Sequence, residues 1–166
     1  KALRARGFTK PVTLFSIGKA AWQMAAAACD FLGEVICAGI VITKYSHVKG
    51  PLAACTCCEG GHPIPDGNSF RAARAALPLV ENRFERDTVL FLLSGGGSAL
   101  FELPLISGKE LQDITSQLLA SGVDIVEMNT IRKRLSPSRA AALPSTVPRR
   151  RCTPSSSAIF WAIRWT

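Results

Sequence analysis

The sequence predicts a doubly wound α/β domain, a mostly parallel sheet with helices on both faces, and three observations carry that prediction. Three short runs, Val12–Ile17, residues 37–43 and Thr88–Leu93, are apolar almost throughout, as strands covered on both faces are. Helical segments lie between them, so strands alternate with helices. Two of the runs stop at glycine, at Gly18 and at Gly95-Gly96-Gly97. Such turns at the carboxyl ends of parallel strands are where folds of this class bind ligands.

Taken in order, Val12–Ile17 is a β-rich run closed by Gly18, and residues 19–32 follow with the alanine-rich composition of a helix that ends at Gly33. Residues 37–43 complete a strand–helix–strand unit. Residues 50–67 are rich in Gly, Pro and Cys and predict a loop with room for one short strand. A helix is expected over residues 69–80 despite Pro78. Thr88–Leu93 is the strongest strand and empties directly into Ser94-Gly95-Gly96-Gly97-Ser98. Helices over residues 108–121 and 124–135 complete the body.

With 166 residues, 48% of them hydrophobic, the chain can fill one core. Its net charge of +8 is unevenly placed. Residues 1–131 hold 12 Lys and Arg against 12 Asp and Glu, whereas residues 132–166 hold eight basic residues and no acid. A neutral body gives no reason to expect a nucleic-acid partner. Only the basic end, with Arg149, Arg150 and Arg151, offers that contact. No leader with a cleavage site is visible and no apolar stretch reaches the ~20 residues that span a bilayer, so a cytoplasmic protein without a membrane partner is expected. The six cysteines are clustered unevenly and read as reduced thiols. Cys55-Thr56-Cys57-Cys58 lacks a second ligand pair at zinc spacing, and no metal site is predicted there.

The chemistry-bearing segments each admit two readings. Three glycines between serines after a buried strand bring backbone N–H groups close to a ligand, and Ser94, Gly95, Gly96, Gly97 and Ser98 would then bind phosphate or carboxylate. The alternative is a plain tight turn. Lys19, in the first turn of a helix, can reach the same crevice as a compact charge for a phosphate oxygen, or simply be solvated. It is not part of a Walker A loop, because Ala20 stands where Ser or Thr would hold magnesium. Asn129, Arg132, Lys133 and Ser136 share one helix face that either clamps an anion or faces water. His62 and Asp66 flank a proline-stiffened loop, where the histidine serves as a base, orients a substrate, or is structural.

Taken together, Phe15-Ser-Ile-Gly-Lys-Ala-Ala21, Gly61-His-Pro-Ile-Pro-Asp66, Leu93-Ser-Gly-Gly-Gly-Ser-Ala-Leu-Phe-Glu-Leu-Pro104 and Asn129-Thr-Ile-Arg-Lys-Arg-Leu-Ser136 resemble the glycerate 2-kinase family. These enzymes carry a C-terminal MOFRL domain and are often labelled hydroxypyruvate reductase. The resemblance implies that residues 1–136 are a Rossmann-like N-terminal domain, truncated at both ends, with the active site in a cleft against a second domain. It implies phosphorylation of D-glycerate by ATP with Mg2+, Lys19 as the catalytic lysine, and residues 94–98 with Asn129, Arg132 and Lys133 around the phosphate or carboxylate. A homodimer is an option for the intact protein.

After Ser136 the resemblance stops. Family members continue with Gly-Gly-Arg and then Ser-Asp-Ile-Leu-Gly-Asp-Pro-Leu-Asp, whereas this chain has Pro137 to Thr166, rich in Pro, Ser and Arg. Trp has one codon, so the codons of Phe160, Trp161 and Ala162, shifted by one base, must give Leu then Gly. A frameshift near Pro137 and a non-native, disordered tail over residues 137–166 are therefore expected, leaving a fragment inactive as a kinase by itself. The competing functions are an NAD(P)-dependent hydroxypyruvate reductase and a non-catalytic binding protein with a basic tail. The reductase wants Gly-x-Gly-x-x-Gly after the first strand and an acid after the second, where Gly18 stands alone and Lys44 follows Thr43.

Overall fold

The structure, a computed structural model, describes residues 10–81, 88–136, 138–139 and 160–164. Strand β1 is Val12–Ile17, β2 is Ile36–Lys44, β3 is Cys55–Gly60, β4 is Thr88–Leu93 and β7 is Phe160–Arg164. They form one sheet in the order β3-β2-β1-β4-β7, every neighbouring pair parallel. Helices α1 (Ala21–Leu32) and α2 (Gly67–Glu81) cross between strands, and α3 (Gly97–Leu100) is a single turn after β4. A two-residue strand β5 (Glu102–Leu103), the helices α4 (Gly108–Ala120) and α5 (Ile125–Leu135), and a two-residue strand β6 (Ser138–Arg139) antiparallel to β5 follow.

The two sheet faces bury separate sets of residues, as the alternation of side chains along a strand requires. Leu14, Val41, Leu90 and Leu92 meet Ala21, Ala25, Ala28 and Leu32 of α1, whose spacing puts them on one helical stripe. Phe15, Ile17, Ile40, Ile42 and Phe91 meet Ala72, Ala73 and Ala76 of α2, with Leu100 and Phe101. Phe15 and Phe91 are paired in register across β1 and β4, and their rings stack at 4.9 Å. Full burial of an aromatic of this size contributes ~1.5–3 kcal/mol each.

The doubly wound α/β prediction therefore holds, and the strand order adds a consequence. The chain runs outward from β1 to β2 and β3, then returns through α2 to lay β4 on the other side of β1. The turn after β1 leads to α1 on one face, and the turn after β4 leads to α3 on the other. The direction of winding thus reverses between β1 and β4, which opens a crevice at their carboxyl ends.

One element sharpens the sequence reading and one differs from it. Residues 55–60 are the short strand for which residues 50–67 left room, and they make the sheet edge; the Cys, Thr and Glu side chains are largely half-buried, so no apolar run marks the position. Residues 160–164, expected within a disordered tail, pair with β4 from Val89 to Leu93. Phe160, Trp161 and Ile163 favour a strand, which the basic composition of the tail as a whole conceals. The expectation of disorder is corrected for these five residues and for Ser138–Arg139, which pair with β5. Arg149 to Arg151 lie outside the described residues.

Candidate active site at the switch between β1 and β4

The two turns at this crevice are locked together by backbone. Ser94 N–H donates to Ile17 C=O at 3.0 Å, Lys19 N–H to Gly95 C=O at 2.9 Å, and Ala20 N–H to Ser94 Oγ at 3.0 Å. Gly18 has φ of +127°, and a Cβ there would lie 2.2 Å from Ser94 Oγ. Only glycine lets the two chains approach so closely. Ser94 is thus committed to holding the turns, whereas the amides of Gly95, Gly96 and Ser98 have no acceptor among the described residues. Because α3 has only four residues, these amides bring their own dipoles and little helix field.

Gly96, with φ of +83°, is the meeting point of two further groups. A Cβ on it would lie 2.7 Å from His62 Nε2 and 3.3 Å from Lys19 Cε. The fold therefore gathers Lys19, His62 and the glycine loop, three segments that are far apart in sequence. His62 is half-buried; burial, then repulsion from Lys19, Lys44 and Arg132, pushes its pKa below the ordinary histidine value, against a ring hydrogen bond to its own carbonyl that raises it. The imidazole is neutral at neutral pH. Lys44, the last residue of β2, was missed in the sequence. Its place at the carboxyl end of a strand was the available signal.

Asp66 is placed differently. Its carboxylate accepts from Ser69 N–H at 2.9 Å and Ser69 Oγ at 3.1 Å, and from the Tyr45 hydroxyl, so it caps the start of α2. Burial raises its pKa, but the hydrogen bonds from Tyr45, Ser69 and Gly61 outweigh this and hold it below the ordinary aspartate range.

The α5 residues do not form one open cationic face. Arg132, 5% exposed, donates to Glu102 Oε1 at 2.7 Å, and Glu102 is fully buried. The guanidinium is neutralised inside the protein. Asn129 is half-buried, Ser136 is buried, and Lys133 is exposed. The Cys29, Cys55, Cys57 and Cys58 side chains are free thiols at the β3 edge. Burial pushes all four up, Cys55 to about 12, so they are not thiolates at neutral pH.

A family model described as a domain of unknown function, DUF4147, matches residues 3–153. The chain belongs to that family. As a DUF4147 member it is 54% identical over 127 residues to a D-glycerate 2-kinase of Thermotoga maritima, covering 75% of this chain and 30% of the relative. It is 39% identical over 137 residues to a putative hydroxypyruvate reductase of Agrobacterium vitis, covering 77% of this chain and 31% of the relative. A crystal structure of glycerate kinase from Thermotoga maritima matches with a TM-score of 0.81 and 45% identity, over 95% of this chain and 36% of that one. The chain thus spans about 30% of the length of the curated relatives it matches. The resemblance to glycerate 2-kinases that the four motifs carry is borne out. No helix among the described residues is long and apolar enough to cross a membrane.

Proposed function

We propose that this chain carries the phosphate-binding part of an ATP-dependent glycerate 2-kinase acting on D-glycerate. The observation that supports this most is the convergence of Lys19 with the unpartnered amides of Gly95, Gly96 and Ser98 at the switch between β1 and β4. Phosphoryl transfer needs positioning and charge stabilisation more than covalent chemistry from the protein. A lysine and fixed amide dipoles in a partly enclosed crevice supply both. In this reading Lys19 neutralises charge on the transferring phosphoryl group, and residues 95–98 hold a phosphate or the glycerate carboxylate. Lys133 and Asn129 would approach the ligand from α5, with Arg132 acting through its pair with Glu102.

Magnesium is implied by the resemblance alone, and no residue of this chain is assigned to it. Among the described residues no group of three or more His, Cys, Asp or Glu is arranged to hold a metal ion. Glu102 is engaged by Arg132, and Asp66 by Tyr45 and Ser69. No step is therefore derived through a metal.

Residues 1–136 form the N-terminal α/β domain in this proposal, and the reading frame after residue 136 departs from that of the relatives. Sequencing the source DNA over codons 130–166 tests the latter, and an intact frame overturns it. For function, the purified chain is titrated with ATP and with D-glycerate and assayed for 2-phosphoglycerate. Binding that Lys19→Ala weakens, without turnover, is expected. Equal binding by Lys19→Ala overturns the cradle, and 2-phosphoglycerate made by the chain alone overturns its being inactive in isolation.

A further inference from the structure

We propose that His62 accepts the proton of the hydroxyl that attacks the phosphoryl donor. The proposal rests on the kinase reading above and names the base that reading leaves open. Its ground is the position of the ring. The Nε2–Cδ2 edge of His62 lies against Gly96, beside the Lys19 stem. A ligand seated on the amides of residues 95–98 is therefore within reach of Nε2. Nε2 is the ring nitrogen nearest Gly96, on the side of the ring that meets the loop.

The other titratable groups around this crevice do not serve. Lys19, Lys44 and Arg132, from the β1 turn, the end of β2 and α5, face His62 as cations. Glu102 is closed in its pair with Arg132. Asp66 accepts from Ser69 and Tyr45, and Glu59 accepts from the His47 and Val48 amides at 2.8 Å each. Among these groups His62 alone offers an uncharged acceptor next to the loop. Burial first, and then the charges of Lys19 and Lys44, disfavour its protonated form.

The step balances as follows. The substrate O–H bond breaks and its proton passes to Nε2, while the oxygen lone pair forms the new bond to the γ-phosphorus. The bond from that phosphorus to the bridging oxygen breaks, and its electron pair leaves with ADP. The transient imidazolium then lies beside a phosphate ester whose negative charge offsets it. Proton transfer of this kind contributes about 10²- to 10⁴-fold to rate.

The chain has two histidines, so in His47→Gln every imidazole signal of the 15N-histidine-labelled protein belongs to His62. The ligands are D-glycerate and 3-hydroxypropionate, which keeps the carboxylate and lacks the 2-hydroxyl. Both are expected to move the amide resonances of Gly95, Gly96 and Ser98, but only D-glycerate is expected to move Nε2. If both ligands move the amides and Nε2 responds to neither, or to both equally, the base is overturned and the cradle stands. If neither D-glycerate nor inorganic phosphate moves an amide, the cradle falls and the base with it; if only phosphate does, the base is overturned and the cradle stands as a phosphate site. A His62 titration midpoint above neutrality would keep the ring protonated and also overturn the proposal. Should His47→Gln disturb its loop, spectra of the unsubstituted chain assigned by loss of signal in His62→Gln give the same comparison.

Discussion

Two regions of this molecule hold cations that the sequence marks for an anion, and the fold treats them in opposite ways. At the ends of β1 and β4, Lys19 stands exposed beside amides without acceptors. On α5, Arg132 is drawn inward and spent on Glu102. Lys19 sits in the turn before α1 and Arg132 on α5, both with apolar neighbours, so composition does not separate them. The partner does: Glu102 follows Phe101, and the β5 strand that carries it is fully buried at that position. A cation is available to a ligand only where no carboxylate has been buried with it.

The sharpest way to break this contrast is to remove one cation from each region and measure unfolding by denaturant. Arg132→Ala leaves Glu102 with a buried charge and is expected to cost ~3–5 kcal/mol. Lys19→Ala is expected within about 0.5 kcal/mol of the parent, as for an exposed residue. Equal costs would mean that the two regions are built alike.

Next in size is the join between the turns. Gly18→Ala forces a side chain onto a residue with φ of +127° and against Ser94. Such backbone strain costs ~1–3 kcal/mol, and the clash adds to it. Phosphate affinity should fall with it, since the loop that carries the free amides is held by Ser94. A stable Gly18→Ala protein with parental affinity would show that the close approach of the two turns is unnecessary.

Asp66 tests the rim of the crevice. Asp66→Ala is expected to cost ~1 kcal/mol, the usual loss for a helix cap. The pH dependence has a definite sign. Its folded pKa lies below its unfolded value, so the stabilisation is present above the ordinary aspartate range near 3.8 and disappears as pH falls through the folded pKa. Thermal melts of the parent and Asp66→Asn should therefore differ at neutral pH and draw together in acid. A gap that persists at the lowest pH would place the effect elsewhere.

Much of this organisation is legible in the sequence, and the exceptions have physical causes. Val12–Ile17 and Thr88–Leu93 declare themselves because strands buried on both faces must be apolar at every position. Gly18 and Gly96 mark the site because contact at those points excludes a side chain. Cys55–Gly60 is legible only as room for one short strand within residues 50–67, and its position is not, since an edge strand needs no apolar run. The role of Arg132 is hidden too, because Glu102 lies 30 residues away and no local pattern announces a pair of that separation. His62 was visible as a candidate, but its lowered pKa depends first on burial in the fold and then on Lys19 and Lys44, brought in from two other strand ends.

The smallest expected effect decides how far the site extends. Lys133 is exposed on α5, one residue from the neutralised Arg132. If the strand-end crevice alone binds phosphate, Lys133→Ala changes neither stability nor affinity measurably. Lys19→Ala, by contrast, loses a charged contact with the ligand, of a kind that contributes ~1.5–3 kcal/mol, and affinity falls at least about tenfold. Calorimetric titration of both variants with inorganic phosphate at two salt concentrations separates a contact from a general field, because a remote charge is screened and a contact is not. A loss for Lys133→Ala that rivals that for Lys19→Ala and survives added salt would make the approach of Lys133 from α5 a direct contact, and the contrast between the two regions would then lie in Arg132 alone.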